Sequence, residues 1–257
     1  LFTLTLFCKQ IQVPFEVYAF KDNDCEDPFT YLNKQNVVRF GHVVLRQFLS
    51  SKMNVAELNE AMTFLWAMGQ GYRMICDPLS GTPLNEALGF MASYIAKFQK
   101  AHNIEKMSMI TLTDGDGAPL RPGNRYDLDE YTWDKNYHKK TANKHFLQDP
   151  VTKKSYEINR YSNYQTEAIL RLIKDRYGIN SVGFYICRNA KRDLEQAVKS
   201  NIPGFNGSYV TMIDTMRKDF REEGFSSIKN SGRDDLFIIP QASTKIQEGE
   251  LAVNGDA

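Results

Sequence analysis

The sequence predicts an α/β protein, a three-layer α/β/α sandwich on a mostly parallel central sheet. Three observations predict it. Short apolar runs rich in β-branched and aromatic residues alternate with longer stretches of helical period. One run, Lys106 to Leu112, stops on the acidic, glycine-rich turn Asp114-Gly115-Asp116-Gly117. The elements read in order as helix, strand, helix, helix, strand, insertion, helix, strand, helix, strand, a rhythm that returns the chain to parallel strands through crossover helices.

Residues 1–12 place Leu1, Leu4, Cys8 and Ile11 on one helical face, with Phe7 beside them. Pro14 breaks that helix. Pro14 to Phe20, PFEVYAF, alternates and reads as a strand. The polar KDNDCEDP that follows reads as a solvated loop carrying Asp22, Asp24, Glu26 and Asp27. Val37 to Leu49 holds one or two short strands around Gly41. Asn54 is a helix cap with Glu57 as its reciprocal partner, and the helix runs to Gln70. Tyr72 to Pro78 is a short apolar piece.

A second helix starts at Pro83, where a missing N–H costs nothing, and buries Leu84, Leu88, Met91, Ile95 and Phe98. It ends near His102 and Asn103. The run from Lys106 reads as a buried strand, with Met107, Met109, Ile110 and Leu112 as its apolar residues. Leu120 to Asn163 breaks the rhythm and reads as a polar insertion, with a hairpin over Phe146 to Ile158 turning at Asp149-Pro150. Tyr164 to Tyr177 is a helix closed by Gly178. Ser181 to Cys187 is a strand, Asn189 caps a helix through Ser200, Tyr209 to Phe220 is partly helical, and Asp235 to Pro240 is a last buried strand. Residues 1–242 form one domain with its insertion at 120–163, and 243–257 form a polar tail.

The 257 residues are 42% hydrophobic and 25% charged, with a net charge of +1. That balance gives no general attraction to nucleic acid or to an anionic membrane. The insertion interleaves Lys135, Lys139, Lys140 and Lys144 with aromatic residues, a pattern able to bind single strands, but Asp127, Asp129, Glu130 and Asp134 offset its charge. No apolar run reaches membrane-spanning length. The 4 cysteines are scattered without a CxxC pair, which argues against a zinc site or a disulfide framework and fits a reducing, cytoplasmic setting. The chain opens at Leu1 inside an apolar pattern and closes in a polar tail, and the expectation is a fragment of a longer polypeptide.

Thr82 leads a helix, and Asp114 ends the next strand. In open α/β sheets ligands gather beyond the carboxyl ends of strands. A hydroxyl and a carboxylate there form the oxygen-only donor set that a hard cation such as Mg²⁺ takes, with room left for an outside ligand. Ser80 and Asp116 are candidates for contact with the ion through water. The simpler readings make Thr82 or Ser80 an N-cap and the acidic turn a surface turn.

SGTPLNEAL followed by MITLTDGDGAP resembles the von Willebrand factor A domain, whose metal-ion-dependent adhesion site takes a DxSxS motif after the first strand, then a Thr, then an Asp in a TDG turn. Thr82 and Asp114 match the last two. KQIQVPFEVYAF resembles the family's first helix leading into its second strand, most like the A domain of the cobaltochelatase large subunit and of proteins paired with MoxR-type AAA+ ATPases. The likeness spans most of 1–118 and, more weakly, 164–240. No DxSxS occurs in this chain, so the resemblance implies a first strand lying upstream. It further implies Mg²⁺ or another divalent cation at Thr82 and Asp114, a non-catalytic binding role, and an AAA+ ATPase or its substrate as partner.

The alternative is a haloacid-dehalogenase-like phosphohydrolase, with Asp114 as nucleophile, Asp116 as general acid, and Asp234 and Asp235 on Mg²⁺. GDGAPL lacks the third glycine of a dinucleotide fingerprint, and an EF-hand loop from Asp114 would need Glu where Arg125 stands. The four histidines show no metal or triad spacing.

Overall fold

Along Asn180–Cys187, Ser181, Tyr185 and Cys187 are buried while Phe184 and Ile186 between them are only half-buried. This period of two is that of a strand with one face on a core. In the computed structural model this strand is the second of a four-stranded sheet. The structure describes residues 1–22, 38–39, 43–72, 81–113, 117–122, 145–158, 162–187, 193–202, 208–229 and 232–241. Ser80, Asp114 and Asp116 lie outside them, as do Cys25, Cys76, Asn189, the basic and aromatic stretch 123–144 and the tail 243–257.

The described residues form six helices and ten strands. The helices are α1 (Phe2–Gln10), α2 (Val55–Gly69), α3 (Leu84–His102), α4 (Ser162–Tyr177), α5 (Asp193–Asn201) and α6 (Tyr209–Glu222). The strands are β1 (Glu16–Asp22), β2 (Val38–Arg39), β3 (Val43–Ser50), β4 (Ser108–Thr113), β5 (Arg121–Pro122), β6 (His145–Gln148), β7 (Ser155–Ile158), β8 (Asn180–Cys187), β9 (Ser226–Ile228) and β10 (Asp235–Pro240). The protein is thus mixed α/β, compatible with an α/β sandwich. The chain divides into two compact units, residues 1–105 with 118–141 and residues 106–117 with 142–257.

In the first unit β1 and β3 pair antiparallel, not parallel as the rhythm of elements suggested. Val17 pairs with Leu49 and Tyr18 with Gln47, so the register passes over Phe48. Phe48 packs against Phe64 of α2, with ring centroids 6.4 Å apart. The bulge therefore aims an extra aromatic residue at a helix. The Asn54–Glu57 capping box is formed: Glu57 N–H donates to Asn54 Oδ1 at 3.0 Å, and Asn54 N–H donates to Glu57 Oε2 at 2.8 Å. Such a cap contributes about 1 kcal/mol. Along α3, Leu84, Leu88, Ile95 and Phe98 are buried as the stripe predicts, while Met91 is half-buried. Asn103 closes the helix in the left-handed region at φ 50°. The predicted apolar face of α1 is not a core face. Leu1, Leu4, Phe7 and Ile11 are exposed, and Thr5 is the buried residue of that helix.

In the second unit the sheet order is β4-β8-β10-β9. β4 and β10 flank β8 in parallel, and β9 pairs antiparallel with β10. One face packs on helices through Tyr185, Cys187, Leu194, Ala197, Val198, Met216, Ile228, Leu236 and Ile238. The other face departs from the expectation of a sheet covered on both sides. Ile110 is 46% and Leu112 55% exposed, so β4 is not the buried strand its composition suggested. β9, three residues long, has no signal in the sequence.

The predicted hairpin is β6–β7, and it packs on α4 through a buried ion pair. Asp149 is 0% exposed. Its Oδ1 accepts from Val151 N–H at 2.9 Å, and its Oδ2 accepts from Thr152 Oγ1 at 2.8 Å. Arg176 of α4 donates Nε to Oδ2 at 3.0 Å and also reaches Oδ1 with Nη2. Burial alone would raise this carboxyl. The guanidinium and the turn donors outweigh it and hold the group well below the usual carboxylate range.

The folded value is depressed, so this stabilisation is complete above the ordinary carboxylate pKa and fades as pH falls through the folded value. Asp149→Asn, which leaves Arg176 without its counter-ion, is expected to cost about 3 kcal/mol at neutral pH. Urea unfolding of wild type and variant measures it. The two curves should draw together below about pH 4, and a constant gap across the pH range would contradict this.

Candidate functional site

The start of α3 is assembled from backbone as much as from side chains. Gly81 precedes it with φ +70°, a conformation that suits glycine. Its Cα faces the end of β1: a Cβ built there would lie 1.8 Å from Asp22 Oδ2. Asp22 is therefore not a residue of a solvated loop. It is the last residue of β1, and its carboxylate is packed against the turn that carries Thr82.

Thr82 is half-buried. Its carbonyl accepts from Leu84 N–H at 2.8 Å and from Ala118 N–H at 2.7 Å. Asn85, fully buried in the first turn of α3, donates Nδ2 to the Ala118 carbonyl at 3.0 Å. Two hydrogen bonds thus fasten the segment after the acidic turn to the start of α3. The simpler reading of Thr82 as an N-cap is not what forms. The cap position is Pro83, without a side-chain cap. The Thr82 hydroxyl makes no hydrogen bond to any described residue.

A second polar cluster joins Glu16 and Tyr18 of β1 to Tyr94 of α3. Tyr18 and Tyr94 both donate to Glu16 Oε2, at 2.8 and 2.7 Å. Their hydroxyls are 3.2 Å apart, and Gln47 Nε2 donates to the Tyr18 hydroxyl at 3.3 Å. Burial, then the neighbouring Tyr94 and Glu16, drive the Tyr18 phenol strongly upward, so it stays a neutral donor. The Tyr94 phenol is also raised: the neighbouring Tyr18 hydroxyl pulls it down, but Glu16 and burial prevail. A cavity of about 360 Å³ opens here, lined by Glu16, Tyr18, Gln47, Ser50, Lys52, Met53, Glu57 and Tyr94. Sequence reading missed this cluster. Its only local trace is the Glu16/Tyr18 spacing along a strand.

The two acids that the phosphohydrolase alternative needs beyond the acidic turn are engaged elsewhere. Asp234 pairs with Lys174 and accepts from Ser181 N–H at 2.8 Å, and these two contacts lower its pKa. Asp235 pairs with Lys229. Among the described residues no three His, Cys, Asp or Glu side chains gather as a metal site. No described helix is long and apolar enough to cross a membrane.

No protein-family model matches this chain, and neither a curated protein nor a solved structure matches it.

Gly81→Ala tests the Asp22 contact. It is expected to destabilise by about 2 kcal/mol, from a strained left-handed alanine and a displaced carboxylate. Adding Asp22→Ala should recover the second part and leave about 1 kcal/mol. A single variant as stable as wild type would mean that Asp22 does not rest on this turn.

Proposed function

We propose that this chain is a protein-binding module of the von Willebrand factor A type whose partner is captured through a divalent cation. Thr82 and Asp114 hold the ion, and Ser80 and Asp116 meet it through water. The observation that carries the reading is the bond from Ala118 N–H to the Thr82 carbonyl at 2.7 Å. Ala118 follows Asp114 by four residues. Four residues of chain reach no further than about 14 Å.

The donor chemistry supports the same reading. The Thr82 hydroxyl has no hydrogen bond to a described residue, and the Asp22 carboxylate rests on the same turn. Hydroxyl and carboxylate oxygens suit Mg²⁺, which binds few protein ligands and keeps waters that another oxygen can replace. Bound there, the ion would offer a positive charge to an acidic side chain of the partner. The partner class that follows from the family likeness is an AAA+ ATPase of the chelatase or MoxR kind, or the substrate it remodels. The role is an adaptor's, by analogy of fold, and its setting is the cytoplasm.

Mg²⁺ is expected to raise the melting temperature of the chain in a saturable way, by the mass-action term for a ligand of the folded state. Thr82→Ala should remove most of that rise, and EDTA should abolish capture of the ATPase. Turnover of a generic phosphate ester that is lost in Asp116→Asn would instead establish the hydrolase.

A further inference from the structure

The cavity beside Glu16 holds more hydrogen-bonding capacity than the protein itself uses. Its walls come from β1, β3, the turn into α2, the start of α2 and the middle of α3, all within the first unit. Its volume is about 360 Å³. Small-molecule sites span about 300–1,000 Å³. The cavity stands at the opposite end of β1 from the proposed cation site. Glu16 opens that strand and Asp22 closes it, about 20 Å further along.

Four side chains on the walls have bonding capacity left over. Glu16 Oε2 takes both tyrosine phenols, and its Oε1 accepts from no described residue. Glu57 Oε2 takes the Asn54 N–H in the capping box, and its Oε1 likewise accepts from no described residue. Ser50 is 5% exposed. Its Oγ accepts from Lys52 N–H at 3.2 Å, but its own hydroxyl hydrogen meets no described acceptor. Buried polar groups normally spend their hydrogen-bonding capacity, so this hydrogen calls for an acceptor within the cavity. The exposed Lys52 ammonium pairs with no described carboxylate.

The charges set the class of occupant. Two carboxylates and one ammonium line the cavity, so a molecule that balances them carries two positive groups and one negative. Tyr18 and Tyr94, edge to face with centroids 5.9 Å apart, add aromatic surface on which an ammonium group or its alkyl stem rests. A phosphate would meet two carboxylates, and a neutral sugar would leave all three charges unpaired.

We infer that this cavity binds a free basic amino acid, of the lysine or ornithine kind. Its carboxylate takes Lys52 and the Ser50 hydroxyl. Its two ammonium groups take Glu16 and Glu57. Tyr18 and Tyr94 position Glu16 by donating to its other oxygen. Neither the cation at Thr82 nor the family likeness enters this inference.

The test is a titration of the ¹⁵N-labelled 257-residue chain with L-lysine, in EDTA so that the cation site plays no part. Amide signals of Tyr18, Gln47, Lys52 and Tyr94 should shift saturably. Norleucine lacks the side-chain ammonium, and lysine amide lacks the carboxylate. Each should bind about tenfold more weakly, for want of one charged hydrogen bond. Glu16→Gln should weaken L-lysine about tenfold. Lys52→Met should erase the preference for L-lysine over its amide and keep the preference over norleucine.

No saturable shift, shifts confined to residues away from the cavity, or norleucine or the amide binding as well as L-lysine would each overturn the inference. So would a preference over the amide that survives Lys52→Met. If Glu16→Gln does not fold, the three compounds on wild-type protein and on the exposed-site variant Lys52→Met still decide.

Discussion

A single backbone hydrogen bond, from Ala118 N–H to the Thr82 carbonyl, fixes where the chain returns after its acidic turn. Asn85 reinforces it from the first turn of α3 by donating to the carbonyl of the same residue. Gly81 makes the geometry possible, because a side chain there would strike Asp22. These contacts leave the Thr82 hydroxyl without a partner among the described residues at the start of a helix. The candidate site is therefore a consequence of how one turn is tied down, and the proposed cation adds to an arrangement that already has a structural reason.

Where the sequence was legible, the signals were local. The reciprocal pair Asn54 and Glu57 announced α2, Pro83 and an apolar stripe announced α3, and the run Ser181 to Cys187 read as the strand that is β8. Asp149-Pro150 announced the hairpin turn, and the structure gave Asp149 a second role as the buried partner of Arg176. What stayed hidden depended on residues distant in the chain. Asp22 read as a loop acid because its contact with Gly81 crosses from one end of a strand to the start of a helix. Arg233 stands in a polar SGRDD segment, and only Gly183 on another strand explains its burial. The antiparallel β1–β3 pair was missed because a long polar connection separates its strands.

The two units are held together internally by different means. The second has a continuous core that runs from Tyr185 and Ile238 of the sheet to Leu194, Val198 and Met216 of the helices. The Cys187 thiol within it is pushed up to about 12 by burial and by the charge of Asp193, so it is inert as a nucleophile. The first unit joins its buried apolar residues with polar ties. Lys9 of α1 donates to the carbonyls of Ser51 and Met53 at 2.9 and 2.6 Å, and Glu16 gathers Tyr18 from β1 and Tyr94 from α3.

The proposal of a divalent cation at the start of α3 is tested most directly by Mn²⁺ titration followed through paramagnetic broadening of backbone amide signals. The account predicts selective broadening from Gly81 to Asn85 and at Ala118, reversed by excess Mg²⁺ and weakened in Thr82→Ala. Broadening confined to other surface carboxylates, or unchanged by Thr82→Ala, would contradict it.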